Sequence, residues 1–252
     1  NSANTFVVGG ATVNGIGAAS RAIQTQAGTG GGNGGSVNIT NNGPGGITAK
    51  LGSVATPIID TRAFGTGSGG SFILSAPAGP ITLTSTGNAV NAQAAGGNQD
   101  GGTIQIVGQT FTASGNPNLN AFGSGSGSGG TVTVQSTQAG NNITVGTTSP
   151  DIRVNLNIFA TGAAGTANLS AGGNLVVNTA NLVSTTGTNQ KGATLNLNSG
   201  LGGAGTTPVI GALDVSGNGT GDGGTMNIGT DSGTAFTVSG GPNGVTGTLK
   251  AN

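Results

Sequence analysis

Asp60 stands two residues before Arg62, and Asp151 two residues before Arg153. Residues two apart on a strand share a face, so each pair can meet as acid and base. The other acids, Asp100, Asp214, Asp222 and Asp231, and the other bases, Arg21, Lys50, Lys191 and Lys250, are scattered. General acid–base catalysis draws on His, or on two carboxylates held together. The chain has no His, and none of its six acids recurs one repeat apart at the same strand position. Nucleophilic Ser–His chemistry is thereby excluded. The two Asp–Arg pairs are read as surface ion pairs. No catalytic residue, cofactor or metal is expected, and the chain is read as not an enzyme.

Other candidate sites fail on spacing. The Gly-rich stretch 65–70 lacks the Gly-Lys-Ser/Thr ending of a phosphate loop, and no helix follows it. The calcium-binding Gly-Gly-x-Gly-x-Asp repeat is absent, Gly219-Thr220-Gly221-Asp222-Gly223 being one isolated fragment. Net charge is zero and charged residues are 5%, against roughly 25% in ordinary globular chains. With no basic stripe, neither nucleic acid nor an anionic lipid surface is an expected partner. Zero Cys excludes a small disulfide scaffold. No apolar run nears the roughly 18 residues of a membrane helix, so no membrane span is expected. The chain opens on Asn1 without a signal peptide, which reads as a processed product or an excised segment.

What the sequence does carry is a repeated phrase: two glycines, Ser or Thr, then apolar–any–apolar. It reads Gly34-Gly35-Ser36-Val37-Asn38-Ile39, Gly69-Gly70-Ser71-Phe72-Ile73-Leu74, Gly101-Gly102-Thr103-Ile104-Gln105-Ile106 and Gly129-Gly130-Thr131-Val132-Thr133-Val134. Looser copies begin at Gly165 and Gly192, and a full one closes at Gly223-Gly224-Thr225-Met226-Asn227-Ile228. The steps average about 31 residues, the size of a stacked-repeat period. Alternating Val, Ile, Leu and Phe in each copy argue against the disorder that 55 Gly and 8 Pro would otherwise suggest.

The stretch from Thr103 gives one coil. Thr103–Val107 alternates as a strand, Gly108-Gln109 turns, and Thr110–Ala113 is a second strand. Ser114–Pro117 turns again, Leu119–Phe122 is a third strand, and a Gly-rich corner leads to the next copy. Three short strands and three corners per coil predict an all-β, right-handed parallel β-helix over residues 1–252 as a single domain. At about 31 residues per coil the 252 residues predict about eight coils, a rod near 40 Å long at the inter-strand spacing.

Alternation also predicts direction. Val37, Ile39, Phe72, Leu74, Ile104, Ile106, Val132, Val134, Leu195, Leu197, Met226 and Ile228 face inward. Between them, Asn38, Gln105, Thr133, Asn168, Asn196 and Asn227 face outward as an amide ladder, with Ile73 the exception. The second strand predicts an outward threonine ladder of Thr48, Thr82, Thr112, Thr144 and Thr237. Phe64, Phe122 and Phe159 are read as aromatic stacking at the third corner. Asn38, Asn142, Asn168 and Asn218 open N-glycosylation patterns, several of which arise by chance in so Asn- and Thr-rich a chain. Neither end shows a cap. Thr5, Phe6, Val7 and Val8 at one end, and Val245, Thr246 and Leu249 at the other, are the expected end-to-end contacts.

The Gly-Gly-Thr-Val-Thr-Val phrasing, with coils ending in Thr-Gly or Ser-Gly, resembles the filamentous-haemagglutinin-like bacterial exoproteins. The resemblance covers most of the chain and is one of style. Asn116-Pro117-Asn118-Leu119 looks like a short motif of that family's secretion domain, but sits mid-chain and reads as a corner. The resemblance implies an extracellular, bacterial-surface location and an adhesive or structural role, and carries over no functional residue. The expected partners are the chain itself, head to tail, or adjoining segments of a longer β-helix. The alternative is a module that binds carbohydrate, such as a surface glycan, or ice through the threonine ladder. A polysaccharide-acting enzyme ranks last.

Overall fold

The computed structural model describes residues 5–8, 15–16, 23–51, 59–85, 88–114, 118–145, 155–157, 162–177, 190–201, 203–209, 213–233, 235–238, 243–245 and 247–252. Asp151, Arg153, Phe159, Thr246 and the Asn116-Pro117 corner lie outside them. The fold is an all-β parallel solenoid with no helix among the described residues.

One face carries the repeated phrase. Strands Ser36–Thr40, Ser71–Ser85, Thr103–Ser114, Thr131–Ser136, Thr166–Ala171, Thr194–Ser199 and Thr225–Thr230 pair in parallel, each with its equivalent one coil away. Register is held residue for residue, so Val132 sits between Ile104 and Ala167. A third face is a 5-stranded sheet through Ile23–Gln24, Ile59–Asp60, Asn88–Asn91, Asn118–Asn120 and Asn155–Asn157. The upper part of the second face is another 5-stranded sheet, through Ile143–Val145, Leu175–Val177, Pro208–Val209, Gly244–Val245 and Thr237–Val238.

The closed turns number about five at a spacing near 31 residues, where dividing length by period predicts eight. The difference lies at the ends. There Phe6–Val8 pairs in parallel with Gly15–Ile16, and Thr237–Val238 with Gly244–Val245, partners far closer in sequence than one repeat.

The first corner also departs from the sequence reading. Ser71–Ser85 and Thr103–Ser114 are each one unbroken strand, so Gly108 does not interrupt pairing. The inward phase changes there instead: Ile104, Ile106 and Gly108 are buried, then Phe111 and Ala113. The stretch Ala76–Pro80 lies against the shorter Gly108–Thr110, and the register shift absorbs the extra residues as a bulge. The next coil does break the ladder. Its Thr137–Asn142 segment loops, and Asn141 Oδ1 accepts the Phe111 N–H at 3.0 Å where a strand would have done so.

The expected inward positions form the core. Phe72, Leu74, Ile104, Ile106, Val132, Val134, Leu195 and Leu197 are fully buried, while Ile39, Met226 and Ile228 pack against the cluster partly exposed. Each full burial contributes roughly 1.5–3 kcal/mol.

The two glycines have a steric cause. The second Gly N–H closes its own coil: Gly70 donates to Thr61 O at 2.9 Å, Gly102 to Ala92 O at 2.7 Å and Gly130 to Ala121 O at 2.6 Å. Its carbonyl accepts from the next coil, as Thr131 N–H bonds Gly102 O at 2.9 Å. A Cβ on Gly102 would lie 1.9 Å from Gly70 O, and one on Gly101 1.9 Å from Ala121 O.

Gly102→Ala is therefore expected to destabilise the fold by about 3 kcal/mol, the upper end of the cost of forced overpacking. Gly28, with nothing within 4 Å of its Cβ direction, is the control. Gly28→Ala should stay within about 0.5 kcal/mol. Thermal and denaturant melts followed by circular dichroism compare the two.

Candidate functional site

The chemistry begins with the charges. Asp60 and Arg62 meet as a forked pair: Arg62 Nε lies 2.8 Å from Oδ1 and 3.0 Å from Oδ2, and the second guanidinium nitrogen also reaches Oδ2. The Arg62 backbone N–H adds a bond to Oδ1 at 3.2 Å, and its guanidinium sits 5.3 Å from the Phe64 ring centre. The expected surface ion pair is thus buried on its acidic side, with the Asp60 side chain 0% exposed and that of Arg62 20%. Asp60 lies in register with Asn91, itself in register with Asn120. Both amides are buried, and Asn120 Nδ2 donates to Asn91 Oδ1 at 2.7 Å. The reading from sequence missed this internal polar file. Its trace was there, as an apolar–Asx pair recurring at Ile59-Asp60, Val90-Asn91 and Leu119-Asn120.

No cluster of three or more potential metal ligands occurs among the described residues. Asp214 lies 3.9 Å from Lys250, both side chains about half exposed. Partial burial pushes the Asp214 carboxyl upward. The Ser216 hydroxyl and N–H, the latter at 3.0 Å, and the Lys250 charge outweigh that and hold it below the usual aspartate range.

The outward amide file is continuous over four coils. Asn168 Nδ2 donates to Thr133 Oγ1 at 3.1 Å, Asn196 to Asn168 Oδ1 at 2.7 Å, and Asn227 to Asn196 Oδ1 at 2.7 Å. Gln105 lies in register beside Thr133, while Ile73 separates it from Asn38. Beside this file runs a second, not singled out from sequence, made by the Ser or Thr of the phrase. Ser36, Ser71, Thr103, Thr131, Thr166, Thr194 and Thr225 are register partners in succession, and Ser71 Oγ bonds Ser36 Oγ at 2.9 Å.

On the second face Thr48, Thr82 and Thr112 are neighbours in register, and Thr112 Oγ1 donates to Thr82 Oγ1 at 3.2 Å. Thr144 lies elsewhere: it is buried and pairs with Val176, because the loop before it starts a new sheet. Thr237 is exposed and pairs with Gly244 near the C-terminal end. Phe64 and Phe122 do not stack directly, since the coil of Ala94 lies between theirs.

Of the expected end contacts, Thr5 is exposed, Phe6 and Val7 are half-buried, and Val8 is buried. The strand Phe6–Val8 is flanked on both sides, by Ile47–Ala49 and by Gly15–Ile16. Val245 is buried and Leu249 is 42% exposed. The largest apolar exposure at this end is Val238 at 73%, with Phe236 at 37%, and neither was expected.

Asn168→Ala removes both ladder bonds at that residue. It should cost about 1–2 kcal/mol, against under about 0.5 kcal/mol for the more exposed Thr112→Ala, as read from denaturant midpoints. Because Asp214 is lowered on folding, its stabilisation is present above the ordinary aspartate value and lost as pH falls through the lowered one. Asp214→Asn should flatten that part of the acid limb of a melting-temperature profile and leave neutral pH nearly unchanged.

No family model, curated protein or solved structure matches this chain.

Proposed function

We propose that the chain is a structural or adhesive right-handed β-helix of a bacterial surface, exported to the exterior, that assembles end to end or continues a longer fibre. The observation that carries this reading is the C-terminal end of the stack. Thr225–Thr230 pairs on one side only among the described strands. Met226 and Ile228 are half-exposed, where Leu195 and Leu197 below them are fully buried. Phe236, Val238 and Leu249 add exposed apolar surface there. An edge of this kind is a template for a further strand. Zero net charge removes the mutual repulsion that would keep like rods apart. The resemblance to filamentous-haemagglutinin-like exoproteins supports the location and the adhesive or structural role.

A second reading, binding of a neutral glycan or ice, rests on the hydroxyl file of Thr48, Thr82 and Thr112. Thr82→Lys with Thr112→Lys should abolish retention on such a surface if that file is the contact.

Electron microscopy and sedimentation of the purified chain test the leading reading. Filaments that lengthen with concentration are expected, and Phe236→Lys with Val238→Lys should shorten or abolish them. Monodisperse monomers at high concentration, with no filament, would contradict it.

A further inference from the structure

The face that carries the repeated phrase has a use of its own. Its outward residues form three files. The first is the Ser/Thr file from Ser36 to Thr225, and the second the amide file from Asn38 to Asn227. The third is Thr40, Ser75, Val107, Gln135, Ser170, Asn198 and Gly229. None of these residues is charged. We propose that this face is a lateral docking surface for a second copy of the chain, packed face to face on the same three files. The proposal does not depend on end-to-end assembly.

Periodicity argues for this occupant. The files repeat at the inter-strand step of about 4.8 Å. A second copy repeats at the same step, so contacts made at one coil recur at every coil. Stacked sheets with polar ladders and interdigitated small side chains form tight, dry interfaces.

The cost of burial is low for a polar face. Asn168, Asn196 and Asn227 already hydrogen-bond along the stack, and Ser71 bonds Ser36. Burying polar groups that keep their partners avoids the penalty of stranding them. Ile73 and Val107, half-exposed on adjacent coils, add an apolar contact near the lower part of the face.

The area fits a weak, concentration-dependent pair. From Ser36 to Thr225 the face is roughly 30 Å along the stack and about 16 Å across a five-residue strand. That is about 500 Å² per partner, or about 1,000 Å² in all, below the roughly 1,200–2,000 Å² of stable specific interfaces and in the range of weak ones. With no net charge on either rod, no Coulomb term opposes the approach.

The test uses the intact chain, measured by sedimentation equilibrium and by rod width in electron micrographs. The wild type is expected to form side-by-side pairs of doubled width. Thr131→Lys with Ser170→Lys places like charges in the two outer files and leaves the amide file intact. It should weaken pairing by about tenfold or more, about 1.4 kcal/mol, with the melting midpoint and circular dichroism kept. The uncharged control, Thr131→Val with Ser170→Ala, should keep pairing, which separates the effect of charge from that of substitution. Rods of single width at every concentration would overturn the proposal. So would a lysine variant that pairs as tightly as wild type. Single rods that adsorb through this face to ice, or to an insoluble neutral polysaccharide, would overturn it in favour of that occupant. The end variants Phe236→Lys and Val238→Lys change filament length and not width, so the two assemblies fail separately.

Discussion

Backbone touches backbone where each coil closes, and the rest of the structure depends on that contact. At Gly70, Gly102 and Gly130 the N–H closes one coil while the carbonyl receives the next. No side chain fits in the gap, not even a methyl group. Because the seam is this tight, successive strands lie at ladder distance on the adjoining face, and Ile104, Val132 and their equivalents stack as one apolar column. A larger residue at the seam would hold two coils apart and separate the ladder on both sides of it. At these seam positions glycine is thus a requirement of closure.

Much of this was legible in the sequence, because a strand states its own direction. Alternation assigned Asn168, Asn196 and Asn227 to one outward file, and the structure bonds them to one another. Alternation does not say what covers the outward side, so the burial of Asp60, Asn91 and Asn120 was not foreseen. Nor does it say whether a corner interrupts pairing. Ala76–Pro80 is absorbed as a bulge, whereas Thr137–Asn142 starts a new sheet and draws Thr144 out of the threonine file. Corner length decides this, and only a partner coil reveals how much can be absorbed. The coil count was overstated for a related reason: dividing length by period takes every residue as part of a regular coil, whereas strands at Val7 and Val238 also pair with partners only 7–8 residues away.

The described surface presents its polar groups as extended files. Its one buried charge pair is locked, with both Asp60 oxygens engaged by Arg62. Its polar groups recur in files that bond along the rod, which stiffens the faces and leaves them uniform from coil to coil. A uniform face and an open end offer different kinds of contact. The end offers unpaired strand and exposed Val238, while the face offers hydroxyls and amides in register. A rod with both can grow in length and in width by separate contacts.

The central claim is that strand stacking does not stop at the C-terminal edge but is taken up by another coil. Fibre diffraction or cryo-electron microscopy of assembled material measures this directly. The account predicts a meridional repeat near 4.8 Å that continues across subunit junctions without a gap. Assemblies in which each junction interrupts that repeat, or a chain that stays a lone rod at every concentration, would contradict it.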